Sequence, residues 1–203
     1  MTEAEWHDST TTPQELLNFL DSRLSRRKMR LVIYSFCRLV WHKFTDERSR
    51  RAVIAAEVAA DAPNPDEILR SVLDEAIAAY EDVYYRHTGG DDYMPAQAAA
   101  VIAAGGTVDA AWLLPTGGRG FPLVHDIAGN PFRPVTADPS WRTSTVVALA
   151  QQMDESRDFA PMPILADALQ DAGCDHPDVL AHCRGPGPHV RGCWVVDLVL
   201  GKE

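Results

Sequence analysis

No stretch of this 203-residue chain is apolar for long enough to cross a bilayer, and its alanine-rich run from Ala96 to Ala104 falls far short of the ~20 residues a spanning helix needs. The amino terminus lacks the basic segment and apolar core of a secretory leader, because Met1-Thr2-Glu3-Ala4-Glu5-Trp6 carries acids in that place. Cysteine is scarce, with four in all: Cys37 stands alone in an apolar helical pattern, and Cys174, Cys183 and Cys193 are bunched near the carboxyl end. A secreted scaffold does not distribute its disulfides in that way, so the expectation is a cytoplasmic protein with reduced thiols. Also missing are the low hydrophobicity of a disordered chain and the glycine period of collagen; at 46% hydrophobic the sequence can bury one sizeable core, and a single domain is the default. No phosphate loop is present either. Gly117-Gly118-Arg119-Gly120 has neither the lysine nor the strand-to-helix setting that gives such a loop its meaning, and reads as a turn.

Charge is unevenly spread. The net charge is −10, but residues 23–51 hold ten Lys/Arg against Asp46 and Glu47, so that segment is +8 and the remainder −18. The asymmetry offers Arg26, Arg27, Lys28 and Arg30 as a surface for an acidic protein partner or for self-association, or else as a basic face turned onto the chain's own acidic helices. Nucleic acid is a poor candidate partner, because no aromatic stacking platform is interleaved with these cations and the acidic remainder repels a phosphate backbone.

The pattern is helical. Thr12-Pro13-Gln14-Glu15 puts a hydroxyl at the cap, proline at the first position and a carboxylate at the third, starting a helix through about Leu24. Met29, Val32, Ile33, Phe36, Cys37, Val40, Trp41 and Phe44 then fall on one stripe at three-and-four spacing. Thr45 is expected to cap a third helix through Ala60, and Asn64-Pro65-Asp66-Glu67 a fourth to about His87. From Gly89 to Trp141, glycines and prolines break every run. That stretch reads as an irregular connector laid over the helices, with one short helix near Pro95–Ala104, apolar anchors such as Trp112, Leu113, Leu114, Phe121, Leu123 and Val124, and room for a short strand. Helix is expected again over 144–155, 162–172 and 177–183; residues 193–200 fit helix or strand, with helix favoured because no partner strand is evident. The whole is thus mainly α: a four-helix unit (1–88), a Pro/Gly-rich connector (89–142) and a smaller helical unit (143–203). Tyr80, Tyr84 and Tyr85 read as helix-packing residues, Asp74-Glu75 and Glu81-Asp82 as solvated acids, and His42, His87 and His125 as isolated imidazoles.

Chemistry-bearing side chains are dense only near the end, where Cys174, His176, His182, Cys183, His189 and Cys193 surround Gly185-Pro186-Gly187-Pro188. Zinc takes four thiolate or imidazole ligands, usually as two close pairs, and here the pairs are imperfect: His189 and Cys193 are four apart, His182 and Cys183 adjacent. Cys174, His182, Cys183, His189 and Cys193 are therefore the candidate ligands, against the plainer reading of a rigid turn that buries thiols in a packed tail. A third reading makes Cys183 or Cys193 a nucleophile activated by His182 or His189, with Asp178 or Asp197 orienting the imidazole, but no oxyanion donors are visible beside them.

Asn130-Pro131-Phe132-Arg133-Pro134, Leu165-Ala166-Asp167-Ala168-Leu169, Gly173-Cys174-Asp175 and the run from His182 through Gly185-Pro186-Gly187-Pro188-His189-Val190-Arg191-Gly192-Cys193-Trp194 resemble a large paralogous family of uncharacterised planctomycete-type bacterial proteins. Met1-Thr2-Glu3-Ala4-Glu5-Trp6, Arg27-Lys28-Met29-Arg30-Leu31 and Thr45-Asp46-Glu47-Arg48-Ser49-Arg50-Arg51 share the likeness, which fades between about 61 and 125. It implies no activity, substrate or cofactor. The expected function is a non-enzymatic helical interaction or scaffold module; the alternatives are a zinc-stabilised binding domain and a thiol-dependent enzyme.

Overall fold

The computed structural model describes residues 1–8, 10–86, 91–106 and 119–202, apart from the side chain of Pro13. The expected features at His87, Gly89, Gly90, Trp112, Leu113, Leu114, Gly117 and Gly118 lie outside the described residues. Within them the fold is all-α, with eleven α-helices, two single 3-10 turns and no strand. The chain divides into two compact units, Met1–Phe121 and Pro122–Glu203, so the boundary falls inside the stretch that reads as connector.

The first unit contains α1 (Glu3–His7), α2 (Pro13–Leu20), α3 (Arg26–Leu39), α4 (Glu47–Ala60), α5 (Pro65–Tyr85) and α6 (Tyr93–Ala103). Two capping boxes begin it: Thr2 with Glu5, and Thr12 with Glu15, whose side chain accepts the Thr12 N–H at 2.7 Å while Thr12 Oγ1 accepts the Glu15 N–H at 3.2 Å. α2 stops at Leu20, earlier than the expected Leu24, because Ser25 takes an extended ψ of 157° and its hydroxyl caps α3 at the Lys28 N–H. Met29, Val32, Ile33, Phe36, Cys37, Val40 and Phe44 of the expected stripe are all buried. Asp46, and not Thr45, caps α4: its carboxylate accepts the Arg48 N–H at 2.8 Å, which a charged acceptor does more strongly than a hydroxyl at a helix amino end. α4 buries Ala52, Ala55, Ala56, Ala59 and Ala60, and α6 buries Ala96, Ala98, Ala99 and Ala103. Small side chains on facing helices let α4, α5 and α6, which contact one another pairwise, pack with little rotamer entropy lost. Tyr84 and Tyr85 are exposed instead of packed inward, although the rings of Tyr80, Tyr84 and Tyr93 contact one another.

The connector hides a helix, α7 (Gly120–Ala128), which buries Leu123, Val124 and Ile127. It leads into α8 (Ser144–Ser156), α9 (Met162–Asp171), α10 (Pro177–Arg184) and α11 (Trp194–Leu200), so the tail is helix as expected. Gly173 closes α9 at φ +90°, as its position suggests. α8 packs on α9 and α11, and α10 on α9 and α11. The core between them is formed by Val146, Met153, Leu165, Leu169, Val179 and Val196, among others, and it includes Cys174 and Cys183.

Candidate metal centre

Three separate segments of the second unit aim side chains at one point. Asp126 stands on α7 one residue before buried Ile127, and is itself only 3% exposed. His182 lies on the last turn of α10, beside Cys183, whose side chain points into the core. His189 sits in the loop after the Gly-Pro-Gly-Pro turn, and Cys193 is the residue that opens α11. Two backbone features bring the last pair in. Gly187 has φ +77°, and a Cβ there would meet the His189 nitrogen at 3.1 Å, so only glycine fits the turn that delivers the imidazole. Gly129, at φ +66°, ends α7 under the Trp194 ring, where a Cβ would lie 3.1 Å from Cγ; this close approach brings the end of the Asp126 helix to the start of the Cys193 helix.

Asp126 Oδ1 is 3.1 Å from His182 Nε2 and 2.8 Å from His189 Nδ1. His182 Nε2 is in turn 3.2 Å from Cys193 Sγ. The other carboxylate oxygen, Oδ2, accepts the Val190 N–H at 2.9 Å, which fixes the rotation of the carboxylate. All four ligand atoms lie within 4.8 Å of one another. Tetrahedral zinc, with ligands at about 2.0–2.3 Å, spaces its donor atoms roughly 3.3–3.8 Å apart; the contacts at 3.1 and 3.2 Å lie close to that range, and the 2.8 Å contact would have to open by about 0.5 Å.

Burial by itself would push the Asp126 carboxyl up, but hydrogen bonds from His182 and His189, with the Val190 N–H, outweigh it and hold the group below its ordinary range. The Cys193 thiol is raised well above its usual value by complete burial and by the neighbouring Asp126 carboxylate. Cys183 is pushed up to about 12 and Cys174 is also raised, burial being the main cause in each. None of these thiols has the electropositive, partly exposed surroundings of a reactive cysteine.

Of the five ligand candidates read from the sequence, His182, His189 and Cys193 converge, whereas Cys174 and Cys183 serve as core side chains outside the converging group. The partner missed from sequence is Asp126, 56 residues before His182 and in a stretch that reads as irregular. Its one local sign is an acid set between Val124 and Ile127 at helical spacing. Neither Asp178 nor Asp197 is the carboxylate at these imidazoles; Asp126 is.

The basic residues offered as an interaction surface are placed differently from one another. Arg26 is exposed and Lys28 is 9% exposed; Arg27 pairs with Asp61, and Arg30 lies 3.7 Å from Asp66. Lys43 meets Asp91, Arg48 meets Asp46 and Asp82, and Arg51 meets Glu75, so much of the basic segment faces this unit's own acids. No helix among the described residues is long and apolar enough to cross a membrane. No family model, curated protein or solved structure matches the chain.

Proposed function

We propose that this protein is a non-enzymatic helical binding module whose C-terminal unit is closed by a structural zinc ion on Asp126 Oδ1, His182 Nε2, His189 Nδ1 and Cys193 Sγ. The observation that supports this most is the sharing of atoms: Asp126 Oδ1 faces both imidazoles, and His182 Nε2 faces both the carboxylate and the thiol. A cysteine nucleophile with a histidine base needs the orienting carboxylate on the opposite ring nitrogen from the sulfur. Here both compete for the same nitrogen, which serves convergence on an ion and not a proton relay.

The donor set selects among metals. One thiolate, two imidazoles and one carboxylate suit Zn2+, whereas Mg2+ and Ca2+ take oxygen ligands and Cu+ favours several soft sulfurs. Two anionic donors balance the ion's charge, so a buried neutral site results and the cost of burying a lone carboxylate beside a thiol is removed. Binding must expel the Cys193 proton, which a coordinating cation accomplishes even for a thiol held high by burial. Four protein ligands complete the tetrahedron, which makes the ion's role structural. The α10–α11 loop and α7 are thereby tied together, and the tied unit serves contacts with a protein partner or a second copy.

Elemental analysis of protein purified without added chelator is expected to give one zinc per chain, and Co2+ substitution to give the intense visible bands of a tetrahedral thiolate site. Asp126→Asn and Cys193→Ser should each lose the metal, while Cys174→Ser and Cys183→Ser should retain it. Metal-free protein whose melting temperature ignores both zinc and chelator would overturn the proposal.

A further inference from the structure

We infer that the N-terminal unit binds a second copy of this chain, the arginine face of α3 in one copy receiving the acidic outer face of α5 in the next. The docking point is an arginine held on a tryptophan. Arg38, in the last turn of α3, has its guanidinium over the Trp41 ring at 4.5 Å and near the Tyr34 ring at 5.9 Å, while Arg50 approaches the same indole at 5.7 Å. Arg26, Arg30 and Tyr34 precede Arg38 at intervals of four, so these residues form one ridge along the helix.

The ends of that ridge are unspent. Among the described residues neither Arg26 nor Arg38, both exposed, meets a carboxylate, whereas Arg27, Arg30, Lys43, Arg48 and Arg51 each do. Stacking on an indole occupies the face of a guanidinium and leaves the N–H fork in its plane able to take a carboxylate through two parallel hydrogen bonds. A fork already held in this way has less freedom to lose when the carboxylate arrives.

The chain carries the matching face itself. The acids of α5 divide: Asp66, Glu75 and Asp82 meet Arg30, Arg51 and Arg48, whereas Glu67, Asp74 and Glu81 are exposed and meet no cation among the described residues. These three repeat every seven residues. Arg70, Ile77 and Tyr84 follow them at three, so acids alternate with one cation and two apolar side chains, 38% and 52% exposed, at the spacing of a helix–helix seam. At 1.5 Å per residue, Glu67 to Glu81 spans ~21 Å and Arg26 to Arg38 ~18 Å, a difference that long side chains cover. Nucleic acid fits this surface less well, because the Trp41 ring is engaged by arginine instead of standing open to a base, and the outward acids repel phosphate. Because the two faces differ, the contact is heterologous and every copy offers both halves.

The test is sedimentation velocity of the full chain. The parent should sediment faster as its concentration rises from about 10 to 500 µM in about 50 mM salt, and the association should weaken about tenfold in about 0.5 M salt, since the pairs are open to solvent. Arg26→Glu with Arg38→Glu should stay monomeric, as should Asp74→Lys with Glu81→Lys; all four positions are exposed, where substitution disturbs folding little. Mixing these two variants in equal amounts should restore association, because the unchanged α5 of the first meets the unchanged α3 of the second and the two reversed faces also match. A variant that had merely misfolded would not complement. Zinc content should equal the parent's in both, so failure here leaves the metal proposal standing. Concentration-dependent amide shifts of the parent in nuclear magnetic resonance should map to α3 and the outer face of α5, which decides the matter if a variant does not fold. A parent that stays monomeric at the highest concentration, association indifferent to salt, folded variants that associate alone, a folded pair that stays inert when mixed, or shifts located elsewhere would each overturn the inference.

Discussion

The two units solve the same problem, holding short helices together, by different means. The first relies on apolar stripes and alanine faces: Leu16, Leu17, Leu20, Val32, Phe36, Ala52, Ala59, Ala76 and Ala79 are fully buried, and Lys28 and Glu57 are the charged side chains buried among the described residues of this unit. The second is smaller, and its longest helix is the 13-residue α8. Helices of seven to ten residues, such as α9, α10 and α11, are below the length at which helix propensity sustains them, so tertiary contacts must do so. It also buries Asp126, Asp154 and Asp197. A small unit with short helices and buried acids has less apolar area per residue to spend on order, and a metal is the common remedy. The difference predicts that the two units respond to opposite perturbations.

The largest effect should come from chelation. With free zinc about a thousandfold above its dissociation constant, the ion contributes about 4 kcal/mol to the unit that binds it, a shift of roughly 20 °C in melting for a domain of this size. Removing it should broaden or lower the transition reported by Trp141 and Trp194 and by amide protection in α10 and α11, and leave protection in α3 and α4 unchanged. Uniform loss of protection across both units would break the comparison. A converse perturbation is Phe36→Ala. Phe36 is fully buried on α3, so the truncation should cost about 3–5 kcal/mol through lost burial and the cavity left behind. It should lower the denaturant midpoint reported from α3 and α4 and leave one zinc per chain.

Why one unit was easier to read than the other follows from range. The α3 stripe is a local signal, since helical spacing alone puts Met29, Val32, Ile33 and Phe36 on one face, and every one is buried. Cap chemistry is local too, although Thr45 and Asp46 are adjacent acceptors and sequence does not say which the backbone will select; the charged one took the cap. The cluster of Asp126, His182, His189 and Cys193 is non-local. His182, His189 and Cys193 lie within twelve residues, so their density drew notice, but the choice between Cys183 and Cys193 depends on which face of α10 turns inward. Cys183 follows His182 by one step, about 100° around a helix, and went to the core. Asp126 could be found only after the glycine- and proline-broken stretch around it proved to hold a helix.

The smallest expected effect tests whether electrostatics matters in the first unit at all. Asp46 caps α4 and holds Arg48 by both carboxylate oxygens, at 3.1 Å to Nε and 2.8 Å to Nη2, while Arg48 reaches on to Asp82 of α5 at 2.6 Å. The Arg48 hydrogen bonds are the main reason that the Asp46 carboxyl lies below its ordinary value, against the opposing pull of burial. A carboxyl with a lowered folded-state pKa stabilises above its unfolded value, near pH 4, and loses that contribution as pH falls through the folded value. Asp46→Ala should therefore cost about 1 kcal/mol at neutral pH, the usual worth of an amino-terminal cap. Asp46→Asn keeps the acceptor and removes the charge, so it should cost less, and the difference between it and the parent should shrink as pH falls below the unfolded value and through the lowered folded one. Thermal melts of the three proteins from pH 7 to pH 3 measure this. A gap between parent and Asp46→Asn that persists undiminished in acid would mean that Asp46 acts through shape and hydrogen bonding alone, and that the first unit depends on its packed stripes even where its charges are best arranged.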